Sequence, residues 1–229
     1  MANNGSKENL NLEYLPKNLA LVREISGKSL KEVSELLGIP GSRLKNYEKG
    51  KYTPSLPEIE SLAFIYQIPR SAFFAEMKPG RIEAVPADDQ LEKLIEIRQK
   101  IIGTKLNLAR EQAEMTLKAL SDCAGIPTSR IKRYEEGISP IPADELQKIA
   151  ECLGISMTEF FDCESPIGRW QTNQDALKKF DLFDADQKQF LTDSDNQKVI
   201  ELARALQSIG VEKLKELAIS LLNFTNTLG

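Results

Sequence analysis

The chain contains no histidine. That removes an imidazole general base, the Ser-His-Asp and Cys-His nucleophile arrangements, and every zinc site that needs a His ligand. Cysteine is scarce: Cys123, Cys152 and Cys163 are too widely spaced for a CxxC clamp, and an odd number argues against a disulfide framework. Thiols acting as small apolar fillers in a reducing compartment are the expectation. No run approaches the roughly 18 apolar residues of a membrane span. Met1 to Asn11 is polar rather than charged-then-apolar, so a cytoplasmic protein without a membrane partner is expected. A surplus of positive charge is missing too: 30 Lys plus Arg face 34 Asp plus Glu, for a net −4. Any nucleic-acid contact must therefore come from local patches. Without His, a metal cluster or a phosphate loop there is no coherent catalytic site. Neither an enzyme nor a cofactor is expected.

What is present is a globular balance, 229 residues with 41% apolar and 28% charged side chains, enough to bury a core. An internal repeat organises the first two thirds. A shift of 87 positions aligns Leu15–Phe74 with Ile102–Phe161 without a gap, and about a third of the pairs are identical. Arg23-Glu24 meets Arg110-Glu111, Gly38-Ile39-Pro40 meets Gly125-Ile126-Pro127, and Phe73-Phe74 meets Phe160-Phe161. Two copies are too few for a solenoid; two independently folding modules on a tether are expected.

Each copy reads as a run of short helices. Ser29-Leu-Lys-Glu32 has the capping-box pattern, the helix it opens stops at Gly38, and Pro40 opens the next. That helix ends near Gly50, and Ser55-Leu-Pro-Glu58 starts a fourth. Thr116 caps the second copy's second helix, with Ala119 where the box would have Glu. Almost no run alternates like a strand, so the fold class is all-α. The first domain is expected over residues 12–78, a linker over 79–89, and the second domain over 90–163, with an extra helix ahead of its first one. After a break from Asp162 to Thr172, residues 173–229 carry two amphipathic helices, one with Phe190, Val199, Leu202 and Leu206, the other with Leu214, Leu217, Leu221 and Leu222.

A helix, a short turn containing Gly38 or Gly125, and a second helix have helix-turn-helix spacing. The stretches Ser29-Leu-Lys-Glu-Val-Ser-Glu-Leu-Leu-Gly-Ile-Pro-Gly-Ser-Arg-Leu-Lys-Asn-Tyr-Glu-Lys-Gly50 and Thr116-Leu-Lys-Ala-Leu-Ser-Asp-Cys-Ala-Gly-Ile-Pro-Thr-Ser-Arg-Ile-Lys-Arg-Tyr-Glu-Glu-Gly137 resemble the XRE family, the phage Cro and repressor type. The resemblance implies two lambda-repressor-like domains in tandem with a helical C-terminal region. It also implies base contacts from the start and middle of each third helix: Gly41, Ser42 and Asn46, and Thr128, Ser129 and Arg133. Many family members begin the second helix with Gln, where this chain has Leu30 and Leu117.

Helical geometry reaches the same surface independently. At 100° per residue Leu44 and Tyr47 share one face, the core face. Ser42, Lys45, Asn46 and Lys49 then lie opposite. In copy two Ile131 and Tyr134 turn inward, while Ser129, Lys132, Arg133 and Glu136 turn outward. Arg43 and its counterpart Arg130 sit on the flank. Such a face suits the major groove, where Arg forks to guanine, Asn pairs with adenine and Lys reaches base or phosphate. An ordinary solvated helix has similar composition; repetition within a helix-turn-helix frame favours DNA.

The copies are unequal. Residues 1–80 carry a small positive balance and residues 101–165 a negative one, and Lys49 is answered by Glu136. Copy one should supply more non-specific affinity. The expected partner is a double-stranded DNA operator, and the expected role a transcriptional regulator, a repressor. One chain has the reach for two half-sites. The Leu stripes of the tail point to homodimerisation through the C-terminal helices. The alternative is a protein-interaction module that reuses the scaffold, with the acidic second copy as its docking face.

Overall fold

The computed structural model describes residues 10–77 and 91–209, together with 213 and 215. The expected linker 79–89 and the second tail helix with Leu214, Leu217, Leu221 and Leu222 lie outside the described residues. Among those described there is no strand, and the class is all-α. The chain divides into two compact units, Met1–Asp175 and Ala176–Gly229.

Repeat one is built from α1 (Leu15–Ile25), α2 (Leu30–Leu37), α3 (Gly41–Glu48), α4 (Leu56–Ile65) and a closing 3-10 turn, Arg70–Phe74. The start of α2 is a complete capping box: the Ser29 hydroxyl accepts the Glu32 N–H at 3.2 Å, and the Glu32 carboxylate accepts the Ser29 N–H at 2.6 Å. Gly38 ends α2 with φ +67°, a left-handed stop that a Cβ would disfavour. Pro40 caps α3 in an extended conformation. The core gathers Leu19, Val22, Val33, Leu37, Leu44, Tyr47, Ile59, Leu62 and Phe73. Buried Asn18 ties α1 to the closing turn, its Nδ2 donating to the carbonyls of Ala72, Phe73 and Ala75.

Repeat two contains α5 (Leu91–Gln112), α6 (Leu117–Ala124), α7 (Thr128–Glu135), α8 (Ala143–Leu153) and a 3-10 turn, Met157–Phe160, after which comes α9 (Pro166–Asp181). Thr116 caps α6 through the Ala119 N–H at 3.1 Å.

Four expectations need correction. The extra helix before copy two is not separate: it is the first half of α5, one continuous helix of 22 residues. Its Leu91 and Ile95 pack into the core of repeat one, while Ile102 and Leu106 pack into that of repeat two. A single rod thus enters both cores. The break at Asp162–Thr172 is mostly helix, because Pro166 stands at the start of α9, where a missing N–H is harmless. Gly168 is there for closeness: a Cβ would lie 2.6 Å from Asp162. On the same helix Trp170 meets repeat one, its ring edge-on to Phe64 at 5.5 Å. The cysteines, read as isolated fillers, include a disulfide: Cys123 and Cys152 are bonded, with Cα atoms 6.0 Å apart, leaving Cys163 free and exposed. They occupy facing positions on α6 and α8, which the linear spacing of 29 residues conceals.

The repeats are also not modules on a tether. They meet near the starts of α4 and α8, where an antiparallel bridge joins Ser55 to Pro142 and the Pro54 carbonyl accepts the Ala143 N–H at 3.0 Å. Leu56 packs into the second core and Ala143 into the first.

Beside this contact lies a buried charged cluster. Glu60 of α4 is 2% exposed, pairs with Arg98 of α5 at 3.3 Å and Arg70 at 3.5 Å, and accepts the Asp162 N–H at 2.9 Å. Arg98 also donates to the Phe160 carbonyl at 2.8 Å and lies 3.5 Å from the Asp162 carboxylate. Arg70 lies over the Phe161 ring at 3.6 Å, and its backbone N–H donates to the buried Gln171 side chain at 2.9 Å. Burial pushes the Glu60 carboxyl up, against the pull of Arg98, and pushes Arg70 down. Burial likewise raises Asp162, but hydrogen bonds from Ser165 and Glu164 and the charge of Arg98 outweigh it and leave that group low.

In the second unit, α10 (Ala185–Thr192) is capped by Asp184 through the Gln187 N–H at 2.8 Å, and a short 3-10 turn leads to α11 (Gln197–Ile209). Leu177, Leu182, Phe183, Phe190, Val199 and Leu202 are exposed.

Candidate nucleic-acid interface

The sequence-predicted residues fall on α3 and α7, which are held in equivalent ways. Leu44 and Tyr47 of α3 are buried, as are Ile131 and Tyr134 of α7. Each helix is clamped to the first helix of its repeat by an arginine fork. Arg23 binds both carboxylate oxygens of Glu48 at 2.6 and 3.0 Å, and Arg110 binds those of Glu135 at 2.6 and 3.1 Å. In both cases the hydrogen bond to the carboxylate is the main reason the guanidinium pKa rises. The remaining nitrogen of each arginine reaches a carbonyl in the turn between the first and second helices, Lys28 or Met115. A planar, two-point clamp fixes angle as well as distance.

A second duplicated network anchors the far side. Tyr47 donates its hydroxyl to Glu58 at 3.0 Å and Tyr134 donates to Glu145 at 2.7 Å. Burial first, then the neighbouring carboxylate, pushes both phenols well above their ordinary range, so each stays a donor. Arg43 lies 3.2 Å from Glu58 and Arg130 lies 2.8 Å from Glu145. Arg43 also donates to the Tyr47 oxygen. Burial opposes its charge, but Glu58 and Tyr47 raise its pKa overall. Of the basic residues singled out on these helices, Arg43 and Arg130 are thus held within the fold.

The outward faces remain. Ser42, Lys45 and Lys49 are exposed and Asn46 is half-buried; among the described residues none of these side chains has a hydrogen-bond or ion-pair partner. On α7, Thr128, Ser129, Lys132 and Arg133 are exposed. Lys132 lies 3.9 Å from Glu136, and Arg133 makes one hydrogen bond to Ser139 at 3.0 Å. At the head of α3, Gly41 has room: a Cβ would meet only Ser34 Oγ, at 3.5 Å.

Each face borders a shallow depression. One, of about 440 Å³, is lined by Ser42, Arg43, Asn46 and Tyr52 among others. The other, of about 520 Å³, is lined by Ser129, Arg130, Arg133 and Glu145. Pro142 contributes to both. The two surfaces therefore adjoin across one residue of the inter-repeat contact. Among the described residues no group of His, Cys, Asp and Glu is arranged to hold a metal, and no helix is long and apolar enough to cross a membrane.

Sequence reasoning missed the clamps. Their signal was present: Arg23, Arg43, Tyr47, Glu48 and Glu58 all recur unchanged 87 positions later. These five identical residues hold the helices; on the outer face Ser42/Ser129 and Lys45/Lys132 are shared, whereas Gly41/Thr128, Asn46/Arg133 and Lys49/Glu136 differ.

Comparison with known proteins places each repeat. Residues 17–76 match a family model described as a helix-turn-helix domain, and residues 106–160 match a second described as helix-turn-helix. An uncharacterized HTH-type transcriptional regulator of Sinorhizobium medicae is 30% identical over 61 residues, 27% of this chain and 44% of that protein. A regulator of the same description from Rhizobium meliloti matches to the same extent. Another, from Sinorhizobium fredii, is 21% identical over 120 residues, 52% of this chain and 80% of its own length. The chain therefore spans less than half the length of the first two relatives it matches. No solved structure gives a significant match.

Proposed function

We propose that this chain, which matches a helix-turn-helix model in each repeat, is a sequence-specific DNA-binding transcriptional regulator of the XRE type. It acts as a repressor, setting the third helix of each repeat into the major groove of its operator. The observation that carries this reading is the pair of braced helices, α3 and α7, with polar faces left outward. In this reading Ser42, Asn46, Ser129 and Arg133 meet base edges, with Thr128 and the open backbone at Gly41 beside them. Lys45, Lys49 and Lys132 neutralise phosphates, while Arg43 and Arg130 approach phosphates from the flank without leaving Glu58 and Glu145. The N-terminal amides of α2 and α6 supply phosphate contact where Leu30 and Leu117 cannot. Occupying the duplex is enough to block transcription, so repression requires nothing further of the chain.

The C-terminal helices pair two chains. The support is the set of apolar side chains that α9, α10 and α11 leave exposed, from Leu177 to Leu202. The chain works in the cytoplasm, where its operator is. It needs no cofactor and carries out no catalysis.

A mobility shift with random duplex, run with the full chain at low and high salt, tests the reading. Binding should be evident at low salt and fall steeply as salt rises, through counterion release. Folded protein that gives no shift at low salt would instead support a protein-docking scaffold.

A further inference from the structure

The geometry points to a chain that is its own dimer: one molecule fills both arms of a single, approximately two-fold DNA site, and the arms differ in sequence because α3 and α7 differ. This rests on the proposed DNA reading and adds which molecule reads which arm.

Ser55 and Pro142, joined by the antiparallel bridge, are 87 positions apart, so each is the other's equivalent. Equivalent residues touch only near the axis that relates the two copies. Repeats stacked by translation would join the front of one to the back of the next. Contacts on a two-fold axis must be reciprocal, with residue i meeting j and j meeting i. The exchange of core residues meets that condition. Leu56 packs into the second core, and its equivalent, Ala143, packs into the first. Both outward faces adjoin the same point, since Pro142 lines the depression beside each.

A duplex has two-fold axes of its own, so a two-fold reader matches half-sites in inverted orientation. Here the two halves are already joined. Glu60, Arg70, Arg98, Asp162 and Gln171 latch one side of the contact. Copy two has Gln147 and Met157 where copy one has Glu60 and Arg70, so this latch occurs once. Holding the halves together beforehand removes the association cost that separate protomers bear.

The differing residues then assign the arms. Asn46 suits adenine and Arg133 suits guanine, and these two are equivalent positions. The site should therefore show inverted arms with adenine in one and guanine at the matching step of the other.

The test is selection of bound sequences from a random duplex library by the full chain, by Asn46→Ala and by Arg133→Ala. Both side chains lie on the outer face, and thermal melts check that the variants fold. Asn46→Ala should flatten preference in one arm only and Arg133→Ala in the other only, each by about 5- to 150-fold at its step. Titration to saturation should give one duplex site for every chain, so that two chains paired through their C-terminal helices take up two duplexes. Two identical arms, both altered by Asn46→Ala and neither by Arg133→Ala, would overturn the inference, as would a single arm or saturation at one duplex site for every two chains. If a folded chain enriches no sequence and shifts no duplex at low salt, the DNA reading itself fails and this inference goes with it.

Discussion

Glu60→Ala probes the contact between the repeats at its most buried point. The carboxylate is 2% exposed and faces Arg98 at 3.3 Å and Arg70 at 3.5 Å, while accepting the Asp162 N–H at 2.9 Å. Removing it leaves two largely buried guanidinium groups short of counter-charge and one N–H without its acceptor. Stripping one partner from a buried pair costs about 3–5 kcal/mol. The lower end applies here, because Arg98 keeps Asp162 at 3.5 Å and Arg70 keeps Asp175 at 3.7 Å. Urea unfolding followed by circular dichroism reads the loss. With a slope of about 1–3 kcal/mol per molar, the midpoint should drop by about 1 M or more. Both repeats should shift together, since Glu60 and Arg70 belong to repeat one while Arg98 lies on α5 and Asp162 follows the closing turn of repeat two. Gln147→Ala, at the equivalent but more open position, should change stability by no more than about 0.5 kcal/mol. A loss below about 1 kcal/mol for Glu60→Ala, or a shift in only one of two separate transitions, would refute the joined-repeat account.

Other consequences follow from close approaches and cross-links. A Cβ at Gly103 would lie 2.4 Å from the Tyr134 carbonyl and 2.9 Å from that of Glu135. Gly103→Ala should therefore push α5 off α7, lowering stability by about 1–3 kcal/mol in a thermal melt and weakening the arm read by α7. Gly38→Ala and Gly41→Ala should part company. The first strains a left-handed stop and crowds Glu92 at 2.6 Å, and should cost about 1–2 kcal/mol; the second meets only Ser34 Oγ at 3.5 Å and should be neutral within about 0.5 kcal/mol. Replacing both Cys123 and Cys152 with Ala opens a loop closed over 29 residues. On chain-entropy grounds that should cost about 3–4 kcal/mol, as a lower melting temperature that reductant no longer affects.

Local chemistry was legible in the residues. Ser29 and Glu32, the glycine stops at 38 and 125, and the inward pairs Leu44/Tyr47 and Ile131/Tyr134 all act through neighbours three or four positions away. Long-range relations were not. Glu60, Arg70 and Arg98 look like solvated charges in a linear reading, because burying a charge is costly unless a distant partner offsets it, and those partners come from other helices. Pro166 and Gly168 suggested a break, yet one is tolerated at a helix start and the other lets the backbone approach Asp162. The disulfide was hidden because copy one has Leu36 and Ile65 at the same places. Of the outer faces, the residue types were readable, but the internal pairing of Arg43 and Arg130 was not.

Entry of α3 and α7 into the major groove leaves a footprint that dimethyl sulfate reads base by base. The reagent methylates guanine N7 on the major-groove side and adenine N3 on the minor-groove side. With the full chain bound to its selected duplex, guanine N7 should be protected in two patches, one in each arm, while adenine N3 stays reactive. Reactive N7 throughout a saturated complex, or protection confined to adenine N3, would contradict the account.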